Sequence, residues 1–221
     1  NFTNFKSELS FIDGMHFFEY ALRDFINLSK ISLEKSLEKT ALDPGTSDEN
    51  SVKNYDEEGT LIGQAGLVLL HPFLKHFFIN MDLLSGKEIR EDKKELAVHL
   101  LHYVATRNEQ PMEHDLVFEK YLCNIPAQQP VDRFVKLSED QKQSCNELLE
   151  AVLNHWSGLR TNAIDALRSE FLIRDGKLTL KEDAHKLFVP RKTQDILLDT
   201  LPWNLHLVKL PWKEQMLYVE W

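Results

Sequence analysis

Residues 61–81 read LIGQAGLVLLHPFLKHFFINM and form a strongly apolar stretch of the chain. Its length and apolar content predict a buried helix. Pro72 predicts either a kink in that helix or the start of a second one. The apolar run gives way to His71, Lys75 and His76, so it is too short and too polar to cross a bilayer.

Helical patterns continue from this stretch to about residue 171. Apolar residues recur at helical spacing within each segment, and Ser138 with Gln141 forms a capping box. The predicted helices cover residues 91–106, 112–122, 139–155 and 162–171.

The remaining residues change to short alternating segments. Asp175-Gly176 between two apolar runs predicts a hairpin of residues 171–174 and 177–181. Further strands are predicted at 187–189, 205–208 and 216–219, with one short helix at 193–200. The predicted fold class is therefore α+β: a mainly helical module followed by a small C-terminal antiparallel sheet.

Two segments precede this module. Residues 14–40 show helical periodicity, which predicts an N-terminal helical arm within residues 1–42. Residues 43–60 are rich in carboxylates and turn formers, which predicts a solvated acidic linker. The predicted domains are thus 1–42, 43–60 and 61–221, with helices over 61–171 and the sheet over 171–221.

Composition argues against several classes of protein. A net charge of −9 disfavours a nucleic-acid partner and an anionic membrane surface. Cys123 and Cys145 are predicted to be buried free thiols rather than a disulfide framework. The chain starts at Asn1 rather than Met, so we expect a piece of a longer protein, and the absence of a visible secretory signal at this start carries little weight. Synthesis in the bacterial cytoplasm is an expectation that follows from the family resemblance described below.

No pattern in the sequence demands catalytic chemistry, so we predict that the chain is not an enzyme. His99 and His102 lie three residues apart with Glu95 a turn earlier, but zinc-site spacing is missing, so hydrogen-bonded core histidines are favoured over a metal site. Gly63 and Gly66 do not form a phosphate loop and are assigned to close helix packing. We therefore predict no catalytic residue, no metal and no cofactor.

Large aromatic residues cluster near predicted helix ends and chain turns. Two interpretations remain open for them: an aromatic core held by the C-terminal sheet, or an interface with a partner. The aromatic residues concerned are Phe73, Phe77, Phe78, Trp156, Trp203, Trp212, Tyr218 and Trp221.

The same regions resemble the contractile injection system tape measure proteins. The resemblance rests on Ala65–Leu74 and Ala97–Thr106, and on the ending Leu201-Pro-Trp203, Leu207–Trp212 and Leu217–Trp221. It covers residues 61–221. The candidate interface or structural motif taken from it consists of Leu70, His71, Pro72, Phe73, Phe77, Leu201, Pro202, Trp203, Leu210, Pro211, Trp212, Tyr218 and Trp221.

The resemblance implies a non-catalytic structural role in setting the length of the inner tube of a phage-tail-like particle. The implied partners are the inner tube protein and the spike or baseplate hub proteins, and the implied location is the lumen or hub of the particle. A homo-oligomer of three or six copies is expected from the rotational symmetry of a tube. A helical adaptor that loads an effector or chaperone is the alternative function.

The chain is too short to measure the length of the tube by itself. A chain of 221 residues would span only roughly 330 Å even if fully helical, and a folded module of this size has a radius of gyration of about 17 Å. We therefore expect this chain to anchor or initiate assembly while other sequence measures length.

Overall fold

The first described element is a strand that leads into the apolar stretch. The computed structural model describes residues 56–159, 163–182 and 184–221, and β1 (Asp56–Ile62) begins that part. The predicted arm and most of the predicted linker lie outside the described residues. Residues 56–60, which the sequence analysis places in the linker, form part of β1, because they pair with a strand far along the chain.

The apolar stretch forms two consecutive helical segments rather than one. Ala65–Leu70 is a 3-10 helix whose six residues are all buried, and α1 (His71–Asn80) follows without a break. Pro72 lies in the first turn of α1, where a backbone N–H has no intrahelical partner to lose. The prediction that Pro72 starts a second helix is confirmed.

The other predicted helices are confirmed, several of them with a 3-10 or π turn at one end. They are α2 (Lys94–Thr106), α3 (Val117–Leu122), α4 (Glu139–His155) and α5 (Ile164–Leu167). Ser138 and Gln141 cap α4 reciprocally, with N···O distances of 2.9 and 3.2 Å. A two-stranded hairpin of β2 (Leu84–Ser85) and β3 (Glu88–Ile89) lies between α1 and α2 and was not predicted.

The main sheet has five strands in the order β1-β4-β5-β7-β6. Its later strands are β4 (Gly176–Leu180), β5 (His185–Phe188), β6 (Leu207–Val208) and β7 (Leu217–Glu220). The α+β class is confirmed, but the sheet is mixed rather than antiparallel because β5 and β7 run parallel. It also includes β1, which precedes the helices.

The predicted hairpin around Asp175-Gly176 is wrong. Residues 168–172 form a π-helical turn, and the hairpin that exists joins β4 to β5. Gly176 is needed for close packing rather than for a turn, since a Cβ there would lie 2.7 Å from the Cβ of Ala65 and 3.0 Å from the carbonyl oxygen of Phe188.

One face of the sheet packs into the core. Leu178, Leu187, Leu217 and Val219 alternate inward along β4, β5 and β7, while Tyr218 on β7 is exposed on the other face. Cys123 and Cys145 are buried free thiols, as predicted. Burial raises the pKa of the Cys145 thiol to about 12.

A candidate partner-binding groove

The structure sorts the residues of the sequence motif by burial. Leu70, Phe77, Leu210, Trp212 and Trp221 are buried, and Pro202, Pro211 and Tyr218 are exposed. The intermediate members are His71, Pro72, Phe73, Leu201 and Trp203. The motif therefore contributes both to the core and to the surface.

We call Leu201–Trp203 the first Leu-Pro-Trp corner and Leu210–Trp212 the second. The second corner belongs to the core. The indole of Trp212 is 6% exposed and stacks on Phe78 with ring centroids 4.9 Å apart. Its Nε1 donates a hydrogen bond to the carbonyl oxygen of Leu122 at 2.7 Å. Asn124 also donates to the carbonyl oxygen of Trp212. This corner therefore ties the chain before β7 to the end of α3.

The first Leu-Pro-Trp corner meets the start of α1. The rings of Trp203 and Phe73 make an edge contact with centroids 5.2 Å apart, and Phe73 makes a similar contact with His155 at the end of α4. Two motifs that lie about 130 residues apart in sequence are thus in direct contact.

Leu201, Trp203 and Trp221 come together in one surface groove. The groove has a volume of about 240 Å³, and its other lining residues are Arg191, Leu198, Asp199, Asn204, Leu205 and His206. Two indoles and three leucines form the apolar part of the lining, and the remaining four side chains are polar. Arg191 and Asp199 in the lining pair with each other at 3.3 Å, so their charges offset.

One polar group of the groove is unsatisfied. Nε1 of Trp203 is buried and finds no hydrogen-bond acceptor among the described residues. An unmet buried donor costs roughly 1–3 kcal/mol. Because this atom is inaccessible to solvent, a partner in the groove cannot reach it unless Trp203 moves.

A buried ion pair holds Trp221 in place. Arg174 and Asp195 form two hydrogen bonds of 2.6 and 2.7 Å, and both side chains are almost fully inaccessible to solvent. Nε1 of Trp221 donates to Asp195 at 2.9 Å, and the guanidinium of Arg174 lies 5.2 Å from the centroid of the Trp221 ring. The position of Trp221 in the groove is therefore fixed by buried contacts.

Hydrogen bonding keeps Asp195 ionised. Burial alone would raise the pKa of this carboxyl, but hydrogen bonds from Arg174, the backbone N–H of Lys192 and Trp221 outweigh burial and lower the pKa below its ordinary value. Sequence reasoning missed Arg174 as a functional support. The sequence feature that could have indicated a buried Arg174 is its position directly after the apolar run Phe171-Leu-Ile173.

His99 and His102 are buried and hydrogen bonded, as the core interpretation predicts. His99 Nε2 lies 2.7 Å from the carbonyl oxygen of Asp132, and His102 Nδ1 lies 2.8 Å from Glu119 Oε1. Burial lowers the pKa of His99 and raises that of Glu119. Over the described ranges, no cluster of three or more His, Cys, Asp or Glu side chains is arranged to hold a metal ion.

Comparison with known proteins identifies one family. The family model described as "Contractile injection system tape measure protein" matches residues 25–221, so the likeness begins well before residue 61. A search of the curated proteins and a search of the solved structures returned no match. In the part of the chain that the structure describes, no helix is long and apolar enough to span a membrane.

The family match covers most of the chain and agrees with the motifs that line the groove and fill the core. It supports a structural role in a contractile injection system. The chain therefore belongs to the contractile injection system tape measure protein family.

Proposed function

We propose that this module anchors the tape measure chain to the hub, the spike or an end of the inner tube, and that the anchoring partner binds in the groove of Leu201, Trp203 and Trp221. The observation that carries this proposal is that Leu201, Trp203 and Trp221, which come from two of the segments on which the family resemblance rests, line one groove. Length regulation by the full protein would then require one fixed end, which this module supplies.

The lining of the groove indicates what it binds. The indoles and leucines on one part of the lining fit an apolar side chain or a proline of an extended segment, and aromatic anchors of this kind dominate many protein interfaces. We therefore expect an extended segment of a particle protein as the ligand.

Rigidity favours binding at this place. Trp221 is held by Asp195 and Arg174, and Trp203 is packed against Phe73, so neither indole needs to be ordered when a partner arrives. A preformed site loses less conformational entropy on binding than a flexible one.

Photo-crosslinking in assembled particles tests this proposal. A benzophenone amino acid replaces His206, which is exposed and lines the groove, in the protein that carries this chain. The matched control places the same residue at Lys75, which is exposed on α1 and does not line the groove.

We expect position 206, and not position 75, to crosslink to a hub, spike or tube protein. Crosslinks of equal yield from both positions, or none from position 206, would contradict binding in the groove. Crosslinks from position 206 to an effector or chaperone would instead support the adaptor function.

A further inference from the structure

Tyr121, near the end of α3, lies between two basic side chains. Its hydroxyl oxygen lies 3.0 Å from Nδ1 of His185 on β5, and the two rings make an edge contact with centroids 5.5 Å apart. Nζ of Lys213 lies 3.9 Å from the centroid of the Tyr121 ring. Both Tyr121 and His185 are buried. We call Tyr121, His185 and Lys213 the Tyr121 cluster.

The cluster connects three parts of the fold. Tyr121 belongs to α3, His185 to β5, and Lys213 to residues 209–216 between β6 and β7. Lys213 Nζ donates hydrogen bonds to the carbonyl oxygen of Tyr121 and to Asn124 Oδ1, each at 2.8 Å. The last carbonyl groups of a helix lack intrahelical partners. Residues 209–216 therefore cap the end of α3, to which the second Leu-Pro-Trp corner also ties them.

The sheet provides no counter-ion for His185. Among the described residues, no carboxylate forms an ion pair with it. Its neighbours in register on β4 and β7 are the apolar Leu180 and Leu217. Lys186, the next residue of β5, is exposed and points to the opposite face of the sheet.

The titratable groups of α3 and of the capping segment do not compensate a charge on His185 either. Glu119 Oε1 lies 2.8 Å from His102 on α2, and Cys123 is a buried thiol. Burial raises the pKa of both groups, which disfavours their negatively charged forms. Burial lowers the pKa of Lys213 to about 8, so this side chain is mostly protonated at pH 7 and below.

Protonation of His185 disturbs the cluster in two ways. One nitrogen of the neutral ring accepts, so the Tyr121 hydroxyl can donate to Nδ1, whereas both nitrogens of the imidazolium donate. The hydroxyl then has to donate elsewhere, and it has no other partner among the described residues. The imidazolium also adds a positive charge near that of Lys213. Burial and the charge of Lys213 accordingly lower the pKa of His185 below its ordinary value.

We propose that the Tyr121 cluster is a pH switch, in which protonation of His185 weakens the contact of residues 209–216 with α3. The closed contact disfavours the imidazolium, so the open contact binds the proton more tightly and acid favours opening. The contact is strongest above the ordinary histidine pKa of about 6.5 and weakens as the pH falls below it. This inference does not depend on the groove or on its partner.

Nuclear magnetic resonance titration of His185 in the whole 221-residue chain tests the proton site. We expect a titration midpoint below 6.5, the ordinary value for histidine. Lys213→Met removes the neighbouring charge and should raise the midpoint. Lys209→Met, at an exposed position of the same segment, is the matched control and should leave it unchanged. A wild-type midpoint at or above 6.5, or an unchanged midpoint in Lys213→Met, would overturn the proposal.

Amide hydrogen exchange tests the opening. The backbone N–H of Lys213 donates to the carbonyl oxygen of Leu210 at 3.1 Å and reports on residues 209–216. Its protection, corrected for the intrinsic pH dependence of exchange, should fall at least about threefold relative to the amides of α4 from pH 7 to pH 5. His185→Asn does not titrate and should remove this fall. His76→Asn, at an exposed position on α1, is the control and should retain it.

Two exchange results would contradict the switch. Equal loss of protection in residues 209–216 and in α4 would indicate global unfolding rather than a local opening. A fall that persists in His185→Asn would exclude His185 as the proton site. The wild-type titration and the wild-type exchange need no substitution, so they decide the proposal even if a variant fails to fold.

Discussion

At the scale of single residues, His71 couples the stability of the fold to pH. Burial lowers its pKa to about 4, although the hydrogen bond between Nδ1 and the carbonyl oxygen of Val68 opposes the shift. The ring titrates near 6.5 in the unfolded chain, so between these values the unfolded state binds more protons. The free energy of unfolding therefore falls as pH drops, by about 2 kcal/mol from pH 7 to pH 5.

We predict that His71→Asn removes this part of the pH dependence. The amide of Asn takes the place of Nδ1 and does not titrate. Urea unfolding at pH 7 and pH 5 measures the change, and His76→Asn at an exposed position of the same helix is the control. Equal pH dependence in the wild type and the His71→Asn variant would contradict the assignment. Burial lowers the pKa values of His99 and His185 as well, so some dependence remains.

The buried pair of Arg174 and Asp195 provides a second prediction at this scale. Asp195→Asn leaves the guanidinium of Arg174 buried without its counter-ion, and the expected loss is about 3–5 kcal/mol of unfolding free energy. Asp199→Asn breaks the exposed pair with Arg191 and should cost less than about 1 kcal/mol. Urea unfolding at pH 7 compares them, and similar losses for both variants would contradict the role of burial.

The pH range of this second effect differs from that of His71. The pKa of Asp195 is lowered in the folded state, so its contribution to stability is complete above the ordinary carboxyl pKa of about 4. It is lost as the pH falls through the lower folded pKa. Asp195 therefore does not contribute to the change expected between pH 7 and pH 5.

At the scale of elements, the contact between the 3-10 helix Ala65–Leu70 and the π-helical turn depends on Gly66. A Cβ at Gly66 would lie 1.7 Å from the carbonyl oxygen of Phe171, whereas a Cβ at Gly63 meets nothing within 4 Å. Overpacking against backbone costs about 1–3 kcal/mol or more.

We predict that Gly66→Ala destabilises the chain by at least about 1–3 kcal/mol and that Gly63→Ala changes its stability by less than about 0.5 kcal/mol. Thermal unfolding of the two variants under identical conditions measures the difference. An unchanged melting temperature for Gly66→Ala would show that the two segments are not in close contact.

The two Leu-Pro-Trp corners should differ in their contribution to stability. Trp212 is nearly buried, donates a hydrogen bond and stacks on Phe78, so Trp212→Ala should cost about 3–5 kcal/mol. Trp203 is half-buried and lacks a hydrogen-bond acceptor, so Trp203→Ala should cost clearly less. Chemical unfolding measures the free energy of unfolding of both variants. An equal or larger loss of unfolding free energy for Trp203→Ala would show that the first corner is as important to the core as the second.

Local patterns predicted the helices well because capping and apolar spacing act within each segment. The capping box at Ser138 gave the start of α4, and the apolar stretch gave the buried centre of the fold. The sheet was predicted less well, since the pairing of β1 with β4 and the parallel pairing of β5 with β7 join distant residues. The hairpin predicted at Asp175-Gly176 was wrong because Gly176 is required for close packing. The local sequence does not distinguish a glycine required for packing from one required for a turn.

Part of the candidate site was also predictable. Leu201, Trp203 and Trp221 belong to recognisable sequence motifs and line one groove, but the same Leu-Pro-Trp pattern does not reveal that Trp212 is buried. Arg174 and Asp195 escaped prediction as a pair because their contact spans 21 residues and depends on the tertiary fold.

At the scale of the whole molecule, the described residues combine a packed core with one surface groove that lies over the buried ion pair of Arg174 and Asp195. We propose that this groove holds the partner that fixes one end of the tape measure protein.

The distribution of inner-tube lengths, measured by electron microscopy, tests the central claim most directly. Particles are assembled with the protein that carries this chain, either intact, with residues 61–221 deleted, or with Trp203→Glu; Ile196→Glu, at an exposed position outside the groove, is the control. The anchoring role predicts that tubes disappear or lose their uniform length in the deletion and in Trp203→Glu, and stay normal in the control. Normal tubes of normal length without residues 61–221 would contradict it.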